Sequence, residues 1–231
     1  MSSAYSHPLI HRRGMLAGAL GFAALPIIAC ARQPAAAAAA SARLIAGTTC
    51  PVTPRQTQGP FYFDPEMVRQ DIGEGKAGVP LRLRLQIVEA AACAPSQRAR
   101  VDIWHCDAAG AYSGYDRERT AGARWLRGTQ FADAAGGASF HTLYPGWYEG
   151  RAPHIHVKAW MGDGREITSQ IYFQDDLSDA VYGQGAYAGR AGSHVRNGDD
   201  GIFRRAGGAV PMTEITRSAD GYDGAIVIAL G

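Results

Sequence analysis

The chain has 231 residues, 46% of them hydrophobic and 19% charged, which fits a globular core of one domain and excludes a disordered chain. Its 23 basic and 21 acidic side chains leave a net charge of +2, and Arg12 and Arg13 fall in a segment assigned below to a removed leader. The remainder is balanced, so no positive field for nucleic-acid binding is present.

Residues 1–29 read as a signal peptide. His11-Arg12-Arg13-Gly14-Met15-Leu16 resembles the twin-arginine export motif, with His where Ser or Thr is usual. The uncharged run at 15–28 is too short for a bilayer, which takes about 20 apolar residues, but it suits a signal h-region. It ends in Ile27-Ile28-Ala29-Cys30, which resembles a lipobox and predicts acylation of Cys30 as the mature N-terminus. The alternative is an ordinary signal peptide cut within 29–40. Residues 30–49, with six Ala at 35–40, read as a tether. The expected location is therefore the periplasm or cell envelope, with a lipid anchor. Twin-arginine export moves folded proteins, which favours a protein that loads a metal or cofactor beforehand.

Residues 50–231 form the predicted domain. Leu81, Leu83, Leu85 and Ile87 alternate with Arg82, Arg84 and Gln86, the period-two pattern of a half-buried strand. Further strands are predicted at 101–105, 139–143, 154–160, 168–173 and 225–230, separated by Gly- and Pro-rich turns. Short helical turns are predicted at 64–69 and 176–181. Residues 107–138 and 174–224 read as long loops, of a length that tends to carry function. Together these features predict an all-β sandwich of mainly antiparallel strands with little helix. If 81–89 and 98–105 form a hairpin, Cys93 lies near its turn and Cys106 near its far end. That spacing favours a Cys50–Cys93 disulfide, with Cys106 a buried thiol.

His154-Ile155-His156 lies on a predicted strand, so both imidazoles share one face and make half of a metal site. Three blocks add to it: Thr57-Gln58-Gly59-Pro60-Phe61-Tyr62, the segment from Val101 to Tyr112, and the segment from Phe140 to His156. With Thr168-Ser169-Gln170 and Asp220-Gly221-Tyr222, they resemble the intradiol ring-cleavage dioxygenases, the catechol and protocatechuate dioxygenase family, over roughly residues 50–230.

The resemblance implies a non-haem Fe(III) held by Tyr112, Tyr148, His154 and His156. Tyr144 is a rival for the second tyrosine, and Tyr148 is preferred because it follows the Pro-Gly-x step. The resemblance also implies that Tyr148 leaves the metal when substrate binds. Arg151 would stabilise charge on the substrate, and Gln170 would tune the site by hydrogen bonding. The implied reaction opens a catecholic ring with O₂ between its two hydroxylated carbons, giving a cis,cis-muconate-type diacid. Two phenolates and a hydroxide would neutralise the trivalent ion, which suits a site of low dielectric. Family members often pair, so a homodimer is one implied assembly. The segment between Tyr148 and His154 is shorter than the family pattern, which bears on substrate preference. His105 and His141 are expected to be packed or capping residues. Arg117, Arg119, Arg124 and Arg127 are expected on a solvated loop, and Tyr62 near the pocket. Two other readings compete: a zinc or Fe(II) site, which the Tyr/His set disfavours, and a non-catalytic prealbumin-like sandwich module at the cell envelope.

Overall fold

A computed structural model describes residues 50–231 apart from Pro65, Ala191, Ser193, Gly208 and Ala209. The predicted signal peptide, Cys30 and the tether lie outside the described residues. The alternation at 81–87 forms β1 (Pro80–Glu89), with Leu81, Leu83, Leu85 and Ile87 buried. β2 (Ala94–Pro95) follows, then β3 (Arg100–Trp104), β4 (Arg127–Phe131), β5 (Gly137–Leu143), β6 (His154–Trp160) and β7 (Glu166–Tyr172). Two short helices, α1 (Asp175–Tyr182) and α2 (Gly201–Arg205), precede β8 (Glu214–Arg217) and β9 (Tyr222–Leu230).

The strands build two sheets. In one, β1 pairs with β9 in parallel and with β2 and β5 antiparallel, and β8 extends β9. The other runs β4-β3-β6-β7, all antiparallel. The sheets face each other across one core. Leu83, Leu85, Phe140, Ile226 and Ile228 meet Val101, Ile103, Ile155, Val157 and Ile171 there. The predicted β-sandwich is thus the observed fold, and both α-helices among the described residues lie after β7.

Three expectations are corrected. Residues 81–89 and 98–105 do not form a hairpin, because β1 and β3 belong to different sheets. The Cys50–Cys93 disulfide forms nevertheless, since Cys93 sits in the turn between β1 and β2, and Cys106 is a buried free thiol. The stretch at 107–138 contains β4, and the stretch at 174–224 contains both helices and β8. β4 lacks an apolar alternation because Arg127, Gly128 and Thr129 supply its buried positions. Described residues of 64–69 are not helical; Val68 instead bridges to Thr129 of β4.

Candidate metal centre

β6 sits between β3 and β7. Its Ile155, Val157 and Ala159 fill the inter-sheet core, so His154 and His156 are turned to the opposite face. Across the ladders, His156 lies opposite Trp104 and Gln170, and His154 opposite Tyr172. Trp104 stacks on the His156 ring at 4.8 Å. The two Nε2 atoms are 3.2 Å apart. Nδ1 of His154 donates to the Ala152 carbonyl at 2.6 Å, which leaves a lone pair on its Nε2. Nδ1 of His156 is buried with no hydrogen-bond partner. Burial, reinforced by the Arg151 charge, lowers the His154 pKa to about 3. Burial and neighbouring His154 push His156 well below its ordinary value. Both imidazoles are therefore neutral at physiological pH, the protonation state a metal ligand requires.

Two interlocked loops bring in the tyrosines. Asp107 shapes the first by accepting from the N–H groups of Ala109 and Ala111, each at 3.0 Å. Gly110, at φ +88°, packs where a Cβ would lie 2.3 Å from the Trp147 carbonyl oxygen. A Cβ at Gly146 would lie 2.0 Å from that of Asp107. The backbones carrying Tyr112 and Tyr148 thus approach more closely than any side chain permits. The two phenol rings are 5.8 Å apart. Tyr148 Oη lies 3.4 Å from His154 Nε2. The Tyr112 hydroxyl is fully buried without a hydrogen-bond partner. Burial raises both phenol pKa values, although the Arg151 cation opposes the rise at Tyr148. Phe61, from the segment preceding β1, stacks on Tyr112 at 4.3 Å. Tyr144, the rival, lies in the inter-sheet core and bonds Ser178 Oγ at 2.7 Å.

Arg151 connects these groups. Its Nη1 donates to Tyr148 Oη at 3.3 Å, its Nη2 to Tyr172 Oη at 3.2 Å and to Gln170 Oε1, and its Nε to Asp200 at 2.9 Å. Gln170 is fully buried and donates in turn to the Thr57 carbonyl at 2.9 Å. It therefore orients Arg151 and pins the segment that carries Phe61.

The donor set fits an oxophilic trivalent ion. No group of three or more His, Cys, Asp or Glu among the described residues could hold a metal, so an ion here needs the tyrosine oxygens. Two ring nitrogens each about 2.1 Å from one ion lie about 3.0–3.4 Å apart at angles between right and tetrahedral. The observed 3.2 Å separation falls in that interval. A buried phenol with nothing to bond is costly in a protein alone, and ligation would satisfy it.

Comparison with known proteins identifies the family. A family profile described as "Dioxygenase" matches residues 57–183, more than half of the chain. The chain belongs to the intradiol ring-cleavage dioxygenase family. It is 30% identical over 207 residues to a catechol 1,2-dioxygenase of Acinetobacter baylyi, covering 76% of this chain and 66% of that protein. A catechol 1,2-dioxygenase of a Pseudomonas strain is 33% identical over 129 residues, covering 52% of this chain and 41% of the relative. The chain thus spans about two thirds or less of the curated relatives it matches. Among solved structures it is similar to an intradiol ring-cleavage dioxygenase from Tetranychus urticae. That match has a TM-score of 0.73 and 30% identity, covering 78% of this chain and 94% of the other.

Several residues of this intradiol family member depart from the sequence reading. Arg117, Arg119 and Arg124 are exposed as expected, but Arg127 is completely buried on β4. Its guanidinium donates to Ser113 Oγ, the Ser113 carbonyl and the Phe61 carbonyl at 2.7–2.9 Å and lies over the Phe63 ring. It ties the Phe61 segment to the Tyr112 loop. Tyr62, by contrast, lies near the centre as expected: it packs on Trp104, in one aromatic cluster with Tyr112 and Tyr148, and donates to Asp102 at 3.0 Å. His141 is exposed on β5, whereas His105 is buried as expected. Asp200 carries no motif of its own, and the sequence reading gave neither Phe61 nor Tyr172 a role at the centre.

His105 makes the acid response testable. Its Nδ1–H donates to the Cys106 carbonyl at 2.9 Å and its Nε2 accepts from Thr142 at 2.7 Å. Burial lowers its pKa to about 4. The unfolded chain, with a histidine pKa of about 6.5, binds this proton more readily. The contribution is complete above pH 6.5 and is lost as pH falls through 4, amounting to about 3 kcal/mol. Urea unfolding of the metal-free protein should show stability falling over this window. His105→Gln should reduce the slope by about 1.4 kcal/mol per pH unit. An unchanged slope would refute the assignment.

Proposed function

We propose that the protein is a non-haem Fe(III) dioxygenase that opens a catecholic ring with O₂ between the two hydroxylated carbons, giving a cis,cis-muconate-type diacid. The observation that carries this reading is the convergence of Tyr148 Oη, His154 Nε2 and His156 Nε2 beside the unpartnered hydroxyl of buried Tyr112. These four side chains would hold the ion. When bound, Fe(III) supplies Lewis acidity that draws electron density from the substrate ring and favours reaction with O₂.

The chain's own groups divide the remaining work. His154 and His156 bind as neutral imidazoles and need release no proton. Tyr112 is fully buried under Phe61 and is suited to stay in place. Tyr148 is half-buried on a loop and can swing away, its Oη accepting a proton from an incoming catechol. No separate general base is then needed at that oxygen. Arg151 cannot deprotonate. It directs an Nη at Tyr148 Oη, where it can stabilise anionic charge that develops on the substrate. The aromatic cover from Phe61, Trp104 and Tyr112 lowers the local dielectric and strengthens that effect. A non-catalytic module has no use for this polar convergence under aromatic cover.

Reconstitution with a ferric salt tests the reading. One iron per chain is expected, with visible absorption from phenolate-to-iron charge transfer and one O₂ consumed per catechol. Tyr148→Phe should shift the absorption and depress turnover. Arg151→Ala should keep iron while kcat falls by about 10²–10³-fold. A colourless reconstituted protein that consumes no O₂ would overturn the proposal.

The reading includes export to the cell envelope, supported by the Arg12-Arg13 motif and by a disulfide that an oxidising compartment sustains. Fatty-acid labelling of the wild type that is lost in Cys30→Ser is the expected result. Equal labelling of the two would refute the anchor.

A further inference from the structure

Asp200 lies beyond the stretch matched by the family profile, immediately before α2, and is fully buried. Its carboxylate has four hydrogen-bond partners. Oδ1 accepts from the N–H groups of Ile202 at 2.7 Å and Phe203 at 3.2 Å, which caps α2. Oδ2 accepts from Arg151 Nε at 2.9 Å and from the Ala152 N–H at 3.0 Å. The two latter partners lead to the centre by separate routes. The Arg151 guanidinium continues to Tyr148 Oη, and the Ala152 carbonyl holds the Nδ1–H of His154.

The placement of this carboxylate is itself built. Asn197, three residues earlier, donates from Nδ2 to the Phe173 carbonyl at 2.7 Å, and its N–H donates to Asp175 at 3.0 Å. These bonds fasten the segment to the end of β7 and the start of α1. A Ser or Asn would cap so short a helix equally well. A buried carboxylate carries a large desolvation cost, which the Arg151 charge and the three backbone N–H donors offset. The cap alone therefore does not account for an acid at this position.

We propose that Asp200 is a positioning residue that acts on two members of the site at once. Through Nε it aims the Arg151 guanidinium at Tyr148. Through the Ala152 N–H it fixes the backbone of that residue, whose carbonyl, in the next peptide, holds the proton of His154 on Nδ1, so that Nε2 faces the centre. Asp200 touches neither substrate nor metal. The effect on turnover rests on the function proposed above, while the effect on His154 does not.

Two measurements on the full chain separate these dependences. Asp200→Ser keeps a capping oxygen for α2 and removes the partner of Arg151. In iron-loaded protein, its kcat for catechol should fall by about 10–100-fold, with KM changing much less. In an Arg151→Ala background, the same substitution should change kcat by less than about threefold, because one route is already cut. In metal-free protein with ¹⁵N-labelled histidine, the wild type should show a protected Nδ1–H for His154 that Asp200→Ser loses. Asp200→Asn, which retains the shape and lacks the charge, should behave as Asp200→Ser does and guards against a folding artefact; circular dichroism and melting confirm folding of each variant. A folded Asp200→Ser protein with wild-type kcat, or an undiminished loss in the Arg151→Ala background, would overturn the Arg151 route. An unaltered His154 signal would overturn the Ala152 route. Failure of the wild type itself to turn over catechol would count against the proposed function, and the histidine spectrum would still decide the positioning role.

Discussion

The register of β6 is the constraint on which the site depends. Ile155, Val157 and Ala159 are committed to the core between the sheets. A slip of one residue would bury His154 and His156 there and turn those apolar side chains outward. Burying a Val or Ile side chain is worth about 1.5–3 kcal/mol, so the strand has one acceptable register. Both imidazoles are then fixed on the outer face of the sheet, with their Nε2 atoms 3.2 Å apart.

Everything else is layered over that face. The Tyr112 and Tyr148 loops are locked together by Gly110 and Gly146, whose missing side chains let the backbones touch. The segment carrying Phe61 closes over Tyr112 and is held by Arg127 and Gln170. The layering has an electrostatic result. Burial keeps the imidazoles neutral and raises the phenol pKa values, so the protein groups by themselves resist charge at this point. A trivalent cation bound as proposed would reverse that preference by favouring two phenolates beside two neutral rings.

Much of this was legible in the sequence because it depends on local periodicity and short spacing. The alternation of 81–87 and the His154-Ile155-His156 triplet each encode a face, and faces survive any choice of topology. The parts that were not legible depend on long-range pairing. The hairpin expected between 81–89 and 98–105 failed because adjacent strands in the chain were distributed to opposite sheets. β4 was hidden because its buried positions are filled by Arg127, Gly128 and Thr129, a composition that reads as loop. Arg127 and Asp200 are charged residues buried by partners far away in sequence, and nothing in their immediate neighbours announces it. Tyr148 and Tyr144 were distinguishable by motif, and the core position of Tyr144 gives the physical reason for the choice.

The central claim is that one ion is shared by four side chains from β6 and the two interlocked loops. Anomalous diffraction at the iron absorption edge, from crystals of ferric-loaded protein, tests it most directly. The account predicts a single peak within bonding distance of Tyr112 Oη, Tyr148 Oη, His154 Nε2 and His156 Nε2. Iron bound elsewhere, or no peak between these atoms in protein that carries stoichiometric iron, would contradict it.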